Sequence, residues 1–197
     1  MNKCNTIQYY NKNAIQFSDT TKDLSFQKNQ NRFLNYLKKG DTILDFGCGA
    51  GRDTKYFLEQ GFQVVAVDGS EELCRLASEH IGITVKRMLF QELDDLDTYP
   101  GIWACASILH VPKNELTEVF EKMSKALKQS GVIYASFKYG TYEGERSARY
   151  FTDFTEETFG EFLVQISGLS IEEVWMTTDV RPDRRDEKWL NIILRKI

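Results

Sequence analysis

Short apolar runs alternate with amphipathic stretches along this chain, a pattern typical of strands that alternate with helices. The run over residues 101–106 is apolar at nearly every position, which predicts a central parallel strand buried on both faces. The strands predicted in this way cover residues 43–46, 63–67, 84–89, 101–106, 132–137, 170–178 and 188–196. No helical pattern separates the last two, so we expect them to form an antiparallel hairpin.

Helical spacing of apolar residues predicts the elements between the strands. Residues 113–127 place their apolar side chains on one face, as an amphipathic helix does. Ser70 is expected to cap a helix over residues 71–79, and Thr155 is expected to cap another.

The most informative stretch joins the first predicted strand to the helix after it. Asp45 stands near the end of the strand, and Gly47, Gly49 and Gly51 follow at alternate positions. Such a turn lets the backbone approach a ligand, and the next helix points its amide ends at it. The spacing differs from the G-x-G-x-x-G of dinucleotide-binding turns. Asp68 ends the next strand 17 residues after the last glycine, which suits an acid that binds ribose hydroxyls.

These residues resemble the first two motifs of the class I S-adenosylmethionine-dependent methyltransferases. The matching positions run from Asp45 to Asp53 and include Asp68, and the resemblance extends from about Tyr9 to the C-terminus. It implies an α/β fold, a three-layer Rossmann-like sandwich with a seven-stranded, mostly parallel sheet and the C-terminal antiparallel hairpin. The loop that contains His110 looks like that of the tellurite-resistance-type methyltransferases, which act on small molecules.

The resemblance also implies that S-adenosyl-L-methionine is the cofactor. Asp45 would orient its amino-acid end, the glycines would admit it, and Asp68 would hold the ribose. Relatives often carry an acid for the adenine amino group, whereas this chain has Leu89 and Phe90, which we expect to sandwich the ring. The predicted cofactor-binding residues are Tyr10, Asp45, Gly47, Cys48, Gly49, Gly51, Asp53, Asp68, Gly69, Leu89, Phe90 and Ser107.

The candidate catalytic residues are His110 and Tyr139. Methyl transfer from a sulfonium releases a neutral thioether, so the protein mainly aligns the reactants and excludes water. His110, at the tip of the fourth strand, is the best candidate base, and a purely structural role suits it equally. Tyr139 is expected to line the acceptor pocket or to shield the core.

Several arginines are expected near the rim of the same pocket. They are Arg146, Arg149, Arg181, Arg184 and Arg185. They could hold an anionic substrate or form a surface ion-pair network, and the acids interleaved with them favour the network.

The chain is expected to form one domain, residues 1–197. Residues 41–197 would be the core and residues 1–40 an N-terminal helical lid segment. Within that segment the first 20 or so residues are polar and indicate turns, and a helix is compatible with the later part, ending at Gly40. In the resembled family such a segment often folds over the cofactor, which would bring Tyr9 and Tyr10 near its methionine end.

Composition narrows the choice of function. The 197 residues carry a net charge of −4, which argues against a dedicated nucleic-acid surface. No apolar run approaches the length of a membrane helix, and the N-terminus has no signal-peptide core. The four cysteines form no C-x-x-C pair, so we expect reduced thiols, no metal and a cytoplasmic protein.

The favoured function is methyl transfer to a small-molecule substrate by a monomer or homodimer. A nicotinamide-dependent oxidoreductase is disfavoured by the glycine spacing. A non-catalytic S-adenosylmethionine-binding protein and an RNA or protein methyltransferase remain as alternatives.

Overall fold

The computed structural model describes residues 4–197. Met1–Lys3, part of the N-terminal stretch in which the sequence predicts no signal-peptide core, lie outside the described residues. The strands are β1 (Thr42–Phe46), β2 (Gln63–Asp68), β3 (Lys86–Arg87), β4 (Tyr99–Ala104), β5 (Leu127–Lys138), β6 (Glu143–Arg146), β7 (Arg149–Thr152), β8 (Leu169–Thr178) and β9 (Lys188–Lys196). The helices are α1 (Cys4–Thr21), α2 (Gln27–Leu34), α3 (Arg52–Glu59), α4 (Glu71–Ile81), α5 (Lys113–Ala126) and α6 (Glu156–Leu163).

Seven strands form one twisted sheet in the order β3-β2-β1-β4-β5-β9-β8. β9 runs antiparallel to both of its neighbours, β5 and β8. The pairs among β3, β2, β1, β4 and β5 are all parallel. The predicted fold class, with seven strands and a C-terminal antiparallel hairpin, is confirmed.

Alternate residues of the strands feed two cores on opposite faces of the sheet. Leu44 and Phe46 face the core that α5 and α6 complete. Ile43 faces the other core, which Phe33 of α2 and Phe57 of α3 complete. This arrangement gives three layers, with the carboxyl ends of the parallel strands meeting along one edge of the sheet.

The predicted helix caps are present. Ser70 Oγ accepts a hydrogen bond from the Leu73 amide at 3.2 Å, and Thr155 Oγ1 accepts one from the Thr158 amide at 3.2 Å. Each cap satisfies an amide that the first helical turn leaves without a backbone partner.

Three elements differ from the sequence-based expectation. The polar stretch before residue 22 is the long helix α1, bent at Asn13, and not a series of turns. The strand predicted over residues 84–89 shrinks to β3, and a 3-10 turn over Phe90–Glu92 follows two residues later. The loop expected after β5 contains the hairpin β6–β7. No helix among residues 4–197 has the length and hydropathy needed to cross a membrane.

Candidate active site

A cavity of about 270 Å³ opens beyond the carboxyl ends of β1, β2 and β4. Its floor is the glycine turn after β1 and the tip of β2, and one wall is the segment that follows β4. α1 and the hairpin β6–β7 supply further walls, together with the connection between β8 and β9. Ligands of open α/β sheets bind at this edge, so the topology places the cavity where the sequence predicts the site.

Gly47 and Gly49 suit the turn for two reasons: the backbone conformation has a positive φ, and there is little space for a side chain. Gly47 has a φ of +91°, and a Cβ added there would lie 2.4 Å from the Cβ of Ser107, so a side chain would push the β4 loop away. Gly49 has a φ of +56°, and its Cβ would lie 3.2 Å from the ring of Phe17 on α1. The turn is therefore close-packed on two sides while its backbone lines the cavity.

Asp68 stands at the tip of β2 and lines the cavity beside this turn. Its Oδ2 accepts a hydrogen bond from the Gly49 amide at 2.9 Å, and its Oδ1 accepts one from the Ser70 amide at 2.8 Å. Burial raises the pKa of Asp68, against the amides of Ser70, Gly49 and Gly69 that favour the charged form. A carboxylate has about four accepting positions, so Asp68 keeps accepting capacity for a ligand beyond these amides.

Behind the turn, Arg52 and Asp53 form an ion pair at the start of α3. Arg52 donates from Nε and Nη2 to the two oxygens of Asp53, each at 2.8 Å. Gln30 and Trp103 donate to the same carboxylate at 2.7 Å and 2.9 Å. Burial alone would raise the pKa of Asp53, but the guanidinium and these donors hold it below its usual value. Both members of the pair line the cavity.

Asp45 lies deeper than predicted. Only 1% of its surface is exposed, it does not line the cavity, and its Oδ2 accepts a hydrogen bond from Thr54 Oγ1 at 2.5 Å. Burial, and then the charge of Asp53, raise its pKa. Asp45 therefore bonds the first turn of α3 and lies behind the cavity lining, and its predicted role in orienting the cofactor, directly or through water, stays a prediction.

His110 joins α1 to the hairpin β6–β7. Its Nδ1 lies 2.6 Å from the carbonyl oxygen of Tyr150, and its Nε2 lies 2.9 Å from the hydroxyl of Tyr10. A carbonyl only accepts, so Nδ1 carries the proton, and Nε2 of the neutral ring accepts from Tyr10. Burial lowers the pKa of His110 to about 4; the Tyr150 carbonyl opposes this, and the charges of Arg149 and Arg146 add to it. The ring is thus neutral at physiological pH.

Apolar side chains line the part of the cavity where the sequence predicts that adenine binds. Leu89 and Phe90 both line the cavity, and Ile7 of α1 approaches Gly69 so closely that a Cβ there would lie 2.6 Å from its Cδ1. The Leu89 amide is already bonded to Glu92 at 2.6 Å. The Leu89 amide therefore already has a partner, and side chains are the groups available to contact an adenine ring here.

The cavity brings together most of the predicted residues. Ten of the twelve predicted cofactor-binding residues line it, as does His110, whereas Asp45 and Gly51 do not. Gly51 instead lets α3 approach Ile81 of α4. Tyr139 lies outside the lining, with 41% of its surface exposed.

The sequence did not single out several lining residues. Arg52 adjoins the glycine motif, and Lys138 and Asn191 come from the ends of β5 and β9. The position of Lys138 directly after a predicted strand indicated a residue near the cavity, whereas no pattern in the sequence indicated Asn191. Cys48 and Cys105 also line the cavity; burial raises the pKa of Cys105 to about 12 and that of Cys48 well above its usual value. These thiols are therefore poor nucleophiles.

Comparisons with known proteins agree with this geometry. Residues 43–131 match a family described as a methyltransferase domain. An uncharacterised methyltransferase of Schizosaccharomyces pombe is 31% identical over 121 residues, which are 55% of this chain and 42% of that protein. Phosphoethanolamine N-methyltransferase 1 of Zea mays is 27% identical over 169 residues, 82% of this chain and 33% of that protein. The chain thus spans less than half the length of these two relatives.

A solved structure shares the fold over nearly the whole chain. It is the 1,6-didemethyltoxoflavin-N1-methyltransferase of Burkholderia thailandensis, with bound 1,6-didemethyltoxoflavin and S-adenosylhomocysteine. The TM-score is 0.78 at 23% identity, covering 96% of this chain and 86% of that one. At this identity the likeness concerns the fold alone.

Proposed function

We propose that this chain is a class I S-adenosylmethionine-dependent methyltransferase that transfers a methyl group from S-adenosyl-L-methionine to a small-molecule acceptor. The observation that carries the proposal is Asp68, an acceptor with free capacity at the edge of a cavity floored by a glycine turn. The vicinal hydroxyls of a ribose are the matching donors.

The residues of the cavity fit the cofactor at each end. Asp68 would accept from the ribose, and Leu89 and Ile7 would flank the adenine. Arg52, fixed by Asp53, would face the carboxylate of the amino-acid end. When bound, the cofactor supplies an electrophilic methyl group on a positively charged sulfur.

We further propose that His110 positions Tyr10 and does not take a proton from the acceptor. Its Nε2 already accepts the hydroxyl of Tyr10, and its pKa of about 4 makes it a weak base at neutral pH. Tyr10 would then present its ring and oxygen to the reacting end of the cavity, and α1 would exclude water. Tyr139, at the surface, would have at most an indirect role in this proposal.

A small-molecule acceptor suits the enclosed cavity. The names of two similar proteins describe small acceptors, phosphoethanolamine in one and 1,6-didemethyltoxoflavin in the other. The loop after β4 supports the same choice through its likeness to the tellurite-resistance type. We also propose that the protein acts as a single domain, monomeric or homodimeric, in the cytoplasm.

Calorimetry with S-adenosyl-L-methionine and S-adenosylhomocysteine tests the cofactor. Asp68→Ala is expected to weaken binding by about 100-fold or more, because it removes two charge-assisted hydrogen bonds. Asp94→Ala is the matched control, since Asp94 is an exposed acid outside the cavity. Circular dichroism melting of both variants reports whether loss of the bonds to Gly49 and Ser70 unfolds the turn.

Equal binding by wild type and Asp68→Ala would contradict the proposal. A methyl-transfer screen with labelled cofactor against thiols, amines, oxyanions and RNA then separates the alternatives. Cofactor binding without transfer to any class would indicate a non-catalytic binding protein, and transfer to RNA alone would indicate a nucleic-acid enzyme.

A further inference from the structure

Five cationic side chains line the cavity, and four of them are ion-paired. Arg52 pairs with Asp53, Lys138 with Glu187 and Asp179, Arg181 with Asp179, and Arg184 with Asp183 and Glu187. Arg149 differs: among residues 4–197, no carboxylate oxygen lies within 4.0 Å of its guanidinium. Among the described residues, the network expected from the sequence therefore forms around Arg146, Arg181 and Arg184, and it leaves out the cavity-lining Arg149 and the exposed Arg185.

The Nε of Arg149 is also buried and has no hydrogen-bond partner among the described residues. A buried donor without a partner costs free energy unless a ligand or water satisfies it. Nη1 donates weakly to the Tyr10 hydroxyl at 3.4 Å. The guanidinium consequently keeps most of its five donors for something outside the chain.

Aromatic rings hold this guanidinium in place. It lies 4.6 Å from the ring centre of Tyr9 and 5.2 Å from that of Phe151. Arg149 is the first residue of β7, and the next residue, Tyr150, is fixed by two hydrogen bonds. The Tyr150 amide donates to Thr6 Oγ1 at 3.0 Å, and its carbonyl oxygen accepts from His110 Nδ1. A planar fork that is already oriented loses little entropy when it binds a planar anion.

The charges around the cavity are unevenly distributed. Asp68 supplies negative charge on the floor, whereas Arg149 supplies unpaired positive charge beside His110. Arg146, also near His110, is neutralised by Asp153 at 2.5 Å. Glu145 also lines the cavity, and it accepts a bond from Asn5 at 3.5 Å rather than pairing with Arg149. Arg149 therefore supplies the unpaired positive charge to which an anion near His110 would bind.

We propose that the acceptor is a small organic anion whose carboxylate, or an equivalent planar oxyanion, binds the guanidinium of Arg149. This inference rests on the proposed methyltransferase function and names the substrate class of the same site.

Titrations of the full chain saturated with S-adenosylhomocysteine test the proposal. The probes are benzoate and its neutral isostere benzamide, because the lining includes the rings of Tyr10, Phe151 and Trp189. Wild type is expected to bind benzoate more tightly than benzamide. Arg149→Gln is expected to weaken benzoate by about 10- to 100-fold, the range for a hydrogen bond to a charged group, and to leave benzamide unchanged.

Two further variants sharpen the result. Arg149→Lys keeps the charge without the fork and is expected to recover only part of the benzoate affinity. Arg184→Gln, which removes a paired cation from the same lining, is expected to bind benzoate as wild type does.

The outcomes separate this proposal from the one it rests on. Failure of wild type to bind S-adenosylhomocysteine defeats the proposed function. If S-adenosylhomocysteine binds normally, either of two results contradicts the anion site alone. Wild type shows no preference for benzoate over benzamide, or Arg149→Gln retains that preference. Loss of S-adenosylhomocysteine affinity in a folded Arg149→Gln protein also overturns the inference, because Arg149 would then serve the cofactor.

Discussion

At the scale of single residues, the three acids around the glycine turn differ in the direction of their pKa shifts and in their hydrogen-bond partners. Asp53 is held charged by Arg52, and Asp68 keeps part of its accepting capacity for the cavity. Asp45, the most buried of the three, has its pKa raised and is bonded to Thr54. Three carboxyl groups around one glycine turn therefore have three different roles, set by their surroundings rather than by residue type.

This difference predicts unequal tolerance to amide substitution. Asp45→Asn resembles the neutral acid that burial favours, so we expect it to change the free energy of unfolding at pH 7 by less than about 1 kcal/mol. Asp53→Asn leaves the Arg52 guanidinium buried without its counter-charge, and we expect a loss of about 3 kcal/mol or more. Urea denaturation of both variants measures the two values. Similar losses would show that Asp45 is charged in the folded protein.

His110 predicts a pH dependence of stability. Its pKa falls from 6.5 in the unfolded chain to about 4 in the folded one, so the unfolded state binds the proton more readily. The stability that this group contributes is complete above about pH 6.5 and is lost as pH falls towards 4. Relative to His110→Gln, wild type is expected to lose up to about 3 kcal/mol over this window. Unfolding curves at pH 7, 6 and 5 for both proteins test this, and parallel curves would contradict it.

At the scale of elements, α1 closes the cavity with one face only. Ile7, Tyr10 and Phe17 line the cavity from that face, while Ile15 on the opposite face is 66% exposed. The helix bends at Asn13, between Tyr10 and Phe17, so its two halves follow the cavity wall separately. The helix therefore lies against the cavity and is longer than the predicted element, and its action as a lid stays a prediction.

A matched pair of variants tests α1 as a lid. Phe17→Ala removes the ring that covers Gly49 and is expected to weaken S-adenosylhomocysteine binding by about 10-fold, through lost apolar contact. Ile15→Ala, on the same helix, is expected to bind as wild type does. Calorimetry distinguishes them, and equal affinities would show that α1 does not cover the bound ligand.

The hairpin β6–β7 shows why some elements escape pattern analysis. Its turn residues Ser147 and Ala148 both have positive φ, 49° and 60°, as a two-residue type I′ turn requires. The sequence has neither asparagine nor glycine there, so the usual signal is missing. Charged residues on both strands also hide the alternation of a strand.

At the scale of the whole molecule, the sheet was predictable from the sequence pattern, whereas helix α1 was not. Apolar runs and turn residues located all seven strands of the main sheet, and burial on both faces leaves the strongest pattern in β1 and β4. α1 places Ile7, Tyr10, Ala14 and Phe17 on one face, but the many polar residues between them favoured an interpretation as turns. The unpaired state of Arg149 depends on contacts among distant segments, which no spacing along the chain encodes.

The overall charge gives a further prediction about partners. With a net charge of −4 and most cavity-lining cations ion-paired, the protein is expected not to bind single-stranded or duplex RNA measurably at physiological salt. Fluorescence anisotropy with labelled oligonucleotides measures this. Salt-sensitive binding in the micromolar range would favour the RNA methyltransferase alternative.

The stacking of Trp103 on Tyr134 has a practical consequence. The two rings lie 3.8 Å apart at an interplanar angle of 13°, and the indole nitrogen donates to Asp53, whose partner Arg52 lines the cavity. An anionic group arriving at Arg52 alters the electric field across that indole. The wavelength of tryptophan emission should therefore change when a ligand occupies the cavity, without an added dye. Trp103→Phe would remove the part of that change that comes from this ring.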